Sequence, residues 1–208
     1  MVRRARGTSA GLDRASIAIA AVGLIDRDGL DQFGVRRLAD ELGVDPMSIY
    51  HHVKGKAALL DAACEVVLAE VRIPDGEPEG WQAIARRTAH AYRDMAHRHP
   101  QVFPLLAGRA QTSASALAAL ERLVSAMRDA GMPEQVTADA PSVLFGFLNG
   151  HLLARTAAEA HGAAAVPDFD ADAYPTLTEL APRLADFGSE AEFDRMLGTI
   201  LAGIASGR

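Results

Sequence analysis

Between Val35 and Lys56 the chain reads VRRLADELGVDPMSIYHHVKGK, and this stretch concentrates side chains able to hold a polyanion. Ser48, Tyr50, His51 and His52 offer hydroxyls and imidazoles to phosphates and base edges, and the Met47 thioether suits a thymine methyl. Arg36 has the planar fork that matches O6 and N7 of guanine. Lys54 and Lys56 are the only lysines of the chain. They stand where a helix is expected to begin, and there free N–H groups and the helix dipole already favour an anion, so a phosphate is the expected guest. Pro46 suits the first turn of the helix that carries the outward groups.

Such groups act together only if two short helices cross tightly. Ala39 lies where the helices approach most closely, and Gly43 supplies a backbone conformation that a Cβ would strain. Leu38, Leu42, Val44, Ile49 and Val53 form the expected buried set. Ile49 and Val53 are one turn apart, so the residues between them face outward. This is the spacing of a helix-turn-helix, whose second helix lies in the major groove of DNA. Two blander readings stand beside it: Tyr50 packed as a core residue, and His51-His52 as solvated surface.

Residues 14–71 resemble the DNA-binding head of the tetracycline-repressor (TetR) family. The stretch GVDPMSIYHHVKGKAALLDA (43–62) carries the likeness, with Tyr50, His52, Lys54, Lys56 and Leu59-Leu60 in matching places. More loosely, YPTLTELAPRLADFGSEAEFDRMLGTILAGI (174–204) resembles the C-terminal domain of the branch that contains the tetracycline repressors. The resemblance implies that Arg36 reads a base, that Met47 contacts thymine, and that Ser48, Tyr50, His52 and Lys56 hold phosphates. Pro46-Met47 replaces the glutamine–proline of that branch, which removes an adenine reader and implies a different operator. In that branch a histidine aligned near Leu106 coordinates a drug-bound magnesium. Leucine cannot, so no tetracycline–magnesium site is expected.

The periodicity of the rest predicts an all-helical chain of about ten helices. Helical spacing runs from Leu12 to Gly29, Val35–Leu42, the stretch after Pro46, Lys56–Val71, Trp81–Arg98, Pro100–Leu106, Ser113–Ala130, Pro133–Ala160, Pro175–Asp186 and Ser189–Ala205. No alternating strand and no repeat stands out. The expected organisation is a flexible basic arm (1–11), a helix-turn-helix head (12–72) and an effector-binding and dimerisation body (73–208). The segments 73–80 and 161–173 are expected to be loops.

One recognition helix reads few base pairs, so a two-fold dimer is expected, its half-sites about 34 Å or a multiple apart. The apolar helix PSVLFGFLNGHLLART (141–156) has Gly146 and Gly150 four residues apart, a spacing that lets helices approach closely. Gly146, Gly150, Leu153, Leu197 and Leu201 are the expected dimer residues. Trp81, Thr88, Tyr92, Phe103, Leu106, Phe145 and Asn149, aromatic with a few polar groups, are the expected pocket lining. A plain core competes with both assignments.

Composition narrows the class further. The net charge is −6, yet residues 1–60 hold nine Lys/Arg against seven Asp/Glu, while residues 61–208 hold twelve against twenty. A mildly basic head on an acidic body fits a polyanion on one side only. No apolar run is long enough to span a membrane and no secretion signal is visible, so a cytoplasmic protein is expected. The single cysteine, Cys64, excludes an internal disulfide and a cysteine-based zinc site.

Gly7-Thr8-Ser9-Ala10-Gly11 matches the nucleophile-elbow pattern by letter, but an arginine-rich arm stands where that elbow needs a strand. His90, His97 and His99 lack an acidic partner at ligand spacing and are expected to be satisfied or surface residues. No cofactor, metal or catalysis is expected. The expected function is a homodimeric transcriptional regulator that binds a palindromic operator, most simply a repressor released by a small molecule. The alternative is an enzyme or ligand-binding helical protein that uses its head for assembly. Arg3, Arg4 and Arg6 of the arm are expected to be solvated, with a neighbouring minor groove as the other possible contact.

Overall fold

The computed structural model describes residues 12–72, 80–109, 112–161, 169–184 and 188–207. The arm with its three arginines, the elbow-like match and most of the two expected loops lie outside these residues. Among the described residues all regular structure is helical: α1 (Arg14–Asp28), a 3-10 turn (Leu30–Gln32), α2 (Val35–Leu42), α3 (Pro46–His52) and α4 (Gly55–Leu68) come first. They are followed by α5 (Trp81–Arg98), α6 (Phe103–Ala107), α7 (Ala114–Asp129), α8 (Glu134–His161), α9 (Pro175–Leu184) and α10 (Glu190–Ser206).

The helices form two compact units. One comprises the chain up to Arg72 together with Asp94–Ala118, and the other Ile73–Arg93 together with Ala119–Arg208. A single cut near residue 72 therefore does not separate them, because α6 packs on α4 and takes the end of α5 into the first unit.

In the first unit α1 starts at a capping box. The Asp13 carboxylate accepts from the Ser16 N–H at 2.7 Å, and the Ser16 hydroxyl accepts from the Asp13 N–H at 3.0 Å. Ile17, Ala21, Leu24 and Ile25 on α1, and Leu59, Ala63 and Val67 on α4, are buried where these two helices pack. Cys64 is buried too, and burial pushes its thiol up to about 11, which makes it a poor nucleophile.

Polar groups tie the same unit at one end. Asp26 on α1 meets His99, His99 meets Glu70, and Glu70 accepts from Arg98 at 2.8 Å. Burial pushes the Glu70 carboxyl up, but the bonds from Arg98 and His99 outweigh it and hold the group below its ordinary value.

In the second unit α10 packs on α8, with Leu144, Leu148 and Leu152 of α8 and Phe193, Leu197, Leu201 and Ile204 of α10 buried. Phe193 is stacked with Phe147 at 6.1 Å and meets the edge of His90 at 5.4 Å, while His90 Nε2 lies 2.9 Å from Asp194. α9 differs from these helices: none of residues 175–183 is buried, and Leu177 and Leu180 are exposed.

Two glycines test this account in opposite directions. Gly23 sits inside α1, and a Cβ there would meet no atom within 4 Å, so Gly23→Ala should stabilise the protein by about 0.5–1 kcal/mol. Gly43 has φ +65°, so Gly43→Val should destabilise it by about 1 kcal/mol or more. Thermal melts of both variants check the pair. A second prediction concerns acid. Because the folded Glu70 value is depressed, its contribution is complete above the unfolded value and is lost as pH falls through the folded one. The stability difference between wild type and Glu70→Gln should therefore shrink as pH drops below about 4.5, which denaturant titrations at several pH values would measure.

Candidate nucleic-acid interface

The turn between α2 and α3 is set by backbone chemistry. Gly43 adopts the left-handed conformation, its N–H donates to Asp40 O at 3.2 Å, and the Val44 N–H donates to Ala39 O at 3.0 Å. Ala39 is fully buried, so the helices meet where only a methyl group stands. The chain then re-enters a helix at Asp45, whose carboxylate accepts from the Met47 N–H at 2.8 Å, with Pro46 at the first helical position.

α3 is anchored by Ile49, and Val53 follows it into the core, both nearly inaccessible to solvent. Leu38 is buried as expected. Leu42 and Val44 are only half-buried, because they flank the turn, where fewer neighbours reach them. Met47 is 61% exposed and Tyr50 37%, His51 and His52 are exposed, and Pro46 and Ser48 are half-buried. The outward set therefore takes up every side of this seven-residue helix except the one occupied by Ile49.

The cations around α3 divide into occupied and available. Arg27 grips Glu41 with bonds of 2.6 and 3.1 Å, and Arg37 donates to Asp28 at 2.7 Å and to Gln32 O at 3.0 Å. Arg36 is exposed and makes no ion pair with a described residue. Lys54 is the exposed residue preceding α4, and its side chain makes no capping bond. Lys56 Nζ donates to Phe33 O at 3.3 Å and lies 5.9 Å from the centre of the Phe33 ring. An ammonium has three donors, so this tether steadies the charge and leaves capacity for an anion. The sequence pattern gave no sign of the Phe33 contact or of the Arg37–Asp28 pair, since each depends on how the 3-10 turn folds back.

The expected pocket residues fall in both units. Trp81, Thr88 and Tyr92 lie on one face of α5 in the second unit, and all three are buried. The Tyr92 hydroxyl donates to Asn149 Oδ1 at 2.8 Å, and the Tyr92 ring meets the edge of Phe145 at 5.4 Å. Thr88 donates to Ile84 O at 2.8 Å. The Trp81 indole nitrogen is buried with no hydrogen-bond partner among the described residues. Phe103 and Leu106, in contrast, belong to α6 and the core of the first unit, where both are fully buried. They are packing residues there, since α6 turns its apolar face to α4.

Among the expected dimer residues Gly146 and Gly150 are exposed and Leu153 is half-buried. Leu197 and Leu201 face inward instead, with exposures of 0% and 3%. The outward side of α10 carries Met196, Thr199, Ala202 and Gly203. Of the three histidines expected to be satisfied or on the surface, His99 and His90 are paired with carboxylates and His97 is exposed. Among the described residues no three His, Cys, Asp or Glu side chains converge on a metal position.

A glycine-hinged helix pair presenting polar groups on a capped second helix, inside an all-helical chain, defines a helix-turn-helix DNA-binding protein. Residues 17–63 match the family model described as bacterial regulatory proteins, tetR family, and residues 73–207 match the tetracyclin repressor-like C-terminal domain. The chain belongs to the TetR family of transcriptional regulators. It is 32% identical to a helix-turn-helix-type transcriptional regulator of Saccharopolyspora erythraea, over 94% of this chain and 85% of that one. It is 31% identical to a helix-turn-helix-type transcriptional repressor of Streptomyces coeruleorubidus, over 71% of this chain and 55% of that one. The solved structure of the TetR family protein ActR from Streptomyces coelicolor, in complex with actinorhodin, superposes with a TM-score of 0.83 at 27% identity, covering 95% of this chain and 97% of that one. No helix among the described residues is long and apolar enough to cross a membrane.

Proposed function

We propose that the chain is a homodimeric repressor that grips a palindromic operator through α3 of each copy and lets go when a small molecule binds the second unit. The observation that carries this reading is the seven-residue α3 with its exposed Met47, Tyr50, His51 and His52 beside an exposed Arg36 that pairs with no acid among the described residues. Arg36 reads a base, Met47 packs on a thymine methyl, and Ser48, Tyr50, His52, Lys54 and Lys56 hold phosphates.

A second copy is supported by what one copy leaves bare. Val143, Gly146 and Gly150 line the outer side of α8, and Met196, Ala202 and Gly203 that of α10. Small residues of this kind allow a close approach between helices, and an apolar surface of that extent favours association. Tyr174, Leu177 and Leu180 of α9 are likewise exposed. A ten-residue helix with no buried residue among 175–183 is marginal alone, so a cover from the partner copy suits it.

The face formed by Trp81, Thr88, Tyr92, Phe145 and Asn149 is the proposed effector site. The Trp81 N–H without a partner suits an acceptor on the ligand. The similar ActR was solved with actinorhodin bound, which supports a small-molecule effector here as well. Release requires the ligand to prefer a state whose heads are wrongly spaced for DNA, and the ratio of its two affinities sets the size of the response.

Operator titrations separate the roles. Log affinity should fall linearly with log salt, and Lys56→Ala should weaken all DNA alike and reduce the slope by about 1. Arg36→Ala should relax sequence preference by about 1–3 kcal/mol at one position. Equal loss of specific and nonspecific binding in both variants would refute the assignment, and no affinity for any operator selected from genomic fragments would refute the reading. For assembly, Gly150→Arg should convert a dimer into a monomer in sedimentation experiments, whereas a wild type that sediments as a monomer at micromolar concentration rules the dimer out.

A further inference from the structure

His99 stands one residue past α5, and its imidazole is clasped by two carboxylates. Nδ1 lies 2.6 Å from Asp26 Oδ2 on α1, and Nε2 lies 3.0 Å from Glu70 Oε1 just beyond α4. A carboxylate only accepts hydrogen bonds, and a neutral imidazole has a single N–H. Only the ring protonated on both nitrogens completes both bonds. The other charged groups facing this cluster are Arg98 at the end of α5, which donates to Glu70, and Arg72 beyond α4.

The consequence of losing one proton is directional. Asp26 Oδ1 is buried with no partner, and its other oxygen has His99 as its donor, so the surviving N–H stays with Asp26. The Nε2 lone pair then points at Glu70 Oε1, and an attractive contact becomes repulsive. Glu70 keeps Arg98, so it can leave the ring without losing all compensation. The ring is sheltered enough for the contact to matter, at 15% exposed, yet it borders an open groove of about 670 Å³ floored by Val22, Gly23, Val66 and Ala69. Water and protons can therefore reach it. Imidazole is the side chain whose charge changes between about pH 5 and 8.

We propose that His99 is a positioning residue for operator binding: doubly protonated, it ties the C-terminal end of α4 to α1, and when it loses a proton it releases that end, so the head grips DNA less well as pH rises. α1 packs on α4 and on α2, α2 packs on α3, and the chain leaves α3 directly into the Lys54–Lys56 start of α4. A looser α4 thus disturbs the phosphate contacts before the base contacts. The proposal rests on the operator-binding reading for its functional half, but the tie itself is measurable without DNA.

The test uses the full chain, wild type and His99→Gln, between pH 5.5 and 8.5, where the fold is compared at each end of the range. Amide hydrogen exchange of residues 66–72, corrected for the intrinsic rate at each pH, reports the tie. In the wild type these amides should lose protection as pH rises, and operator affinity should fall by about three- to tenfold more than in His99→Gln. His51 and His52 are present in both proteins and cancel in the comparison. If His99→Gln folds poorly, Glu70→Gln serves instead: it removes the group on which the lone pair turns, and its exchange at 66–72 should be flat across the range. Identical pH profiles in wild type and variant overturn the proposal. A flat exchange profile with operator binding intact overturns the tie alone. Absence of operator binding at every pH, with the exchange difference present, overturns the operator reading and with it the role of His99 in DNA binding.

Discussion

The outward face of α3 exists only because something else holds α3 in place. Seven residues are far too few for a helix to persist in water by itself, where about 12–15 are marginal even for favourable sequences. The burial of Ile49 and Val53, the Asp45 cap and the φ of Pro46 supply what length does not. Those anchors reach the core only if α2 and α3 cross at close range, which Ala39 permits sterically and the left-handed turn at Gly43 permits conformationally. A rotation of α3 by one residue would turn about 100° of its surface and bury Tyr50 in place of Ile49. The whole candidate interface follows from that one crossing.

Charge acts at a finer scale than composition suggests. A chain of net charge −6 is a poor ligand for a polyanion as a whole. Around α2, however, the acids are spent on particular bases: Glu41 on Arg27 and Asp28 on Arg37. Arg36 is left without an acid next to the outward side chains of α3, and Lys56 is steadied by a carbonyl and an aromatic ring, which do not neutralise it. Exposed pairs of this kind contribute little stability. Their effect is to decide which cations remain available.

Much of the architecture was legible in the order of residues. The helices of the head and the body appear close to their expected limits, because caps, glycines and the spacing of apolar residues act over a few positions: Asp13 and Asp45 start helices, and Gly29 and Gly43 end them. The family was also readable, since the motif from Gly43 to Ala62 lies within one continuous stretch. Two readings went differently: Phe103 and Leu106 fill the first unit, and Leu197 and Leu201 face their own chain. His99 is satisfied, as expected, but by two carboxylates that no neighbour in the sequence revealed. In each case periodicity showed an apolar face or a titratable group but not what stood opposite.

The chain order alone determined where helices begin and end, that the turn at Gly43 would be tight, and which side chains of α3 point away from Ile49. Those properties depend on backbone conformation and on neighbours within about one turn. The tertiary structure decided which arginines stay unpaired, which leucines of α10 are covered, that α6 belongs with α4, and that Asp26 meets His99 across 73 positions of sequence. The physical reason is that a 3.6-residue period specifies the direction of a side chain around its own helix, whereas its partner is set by how separate helices cross.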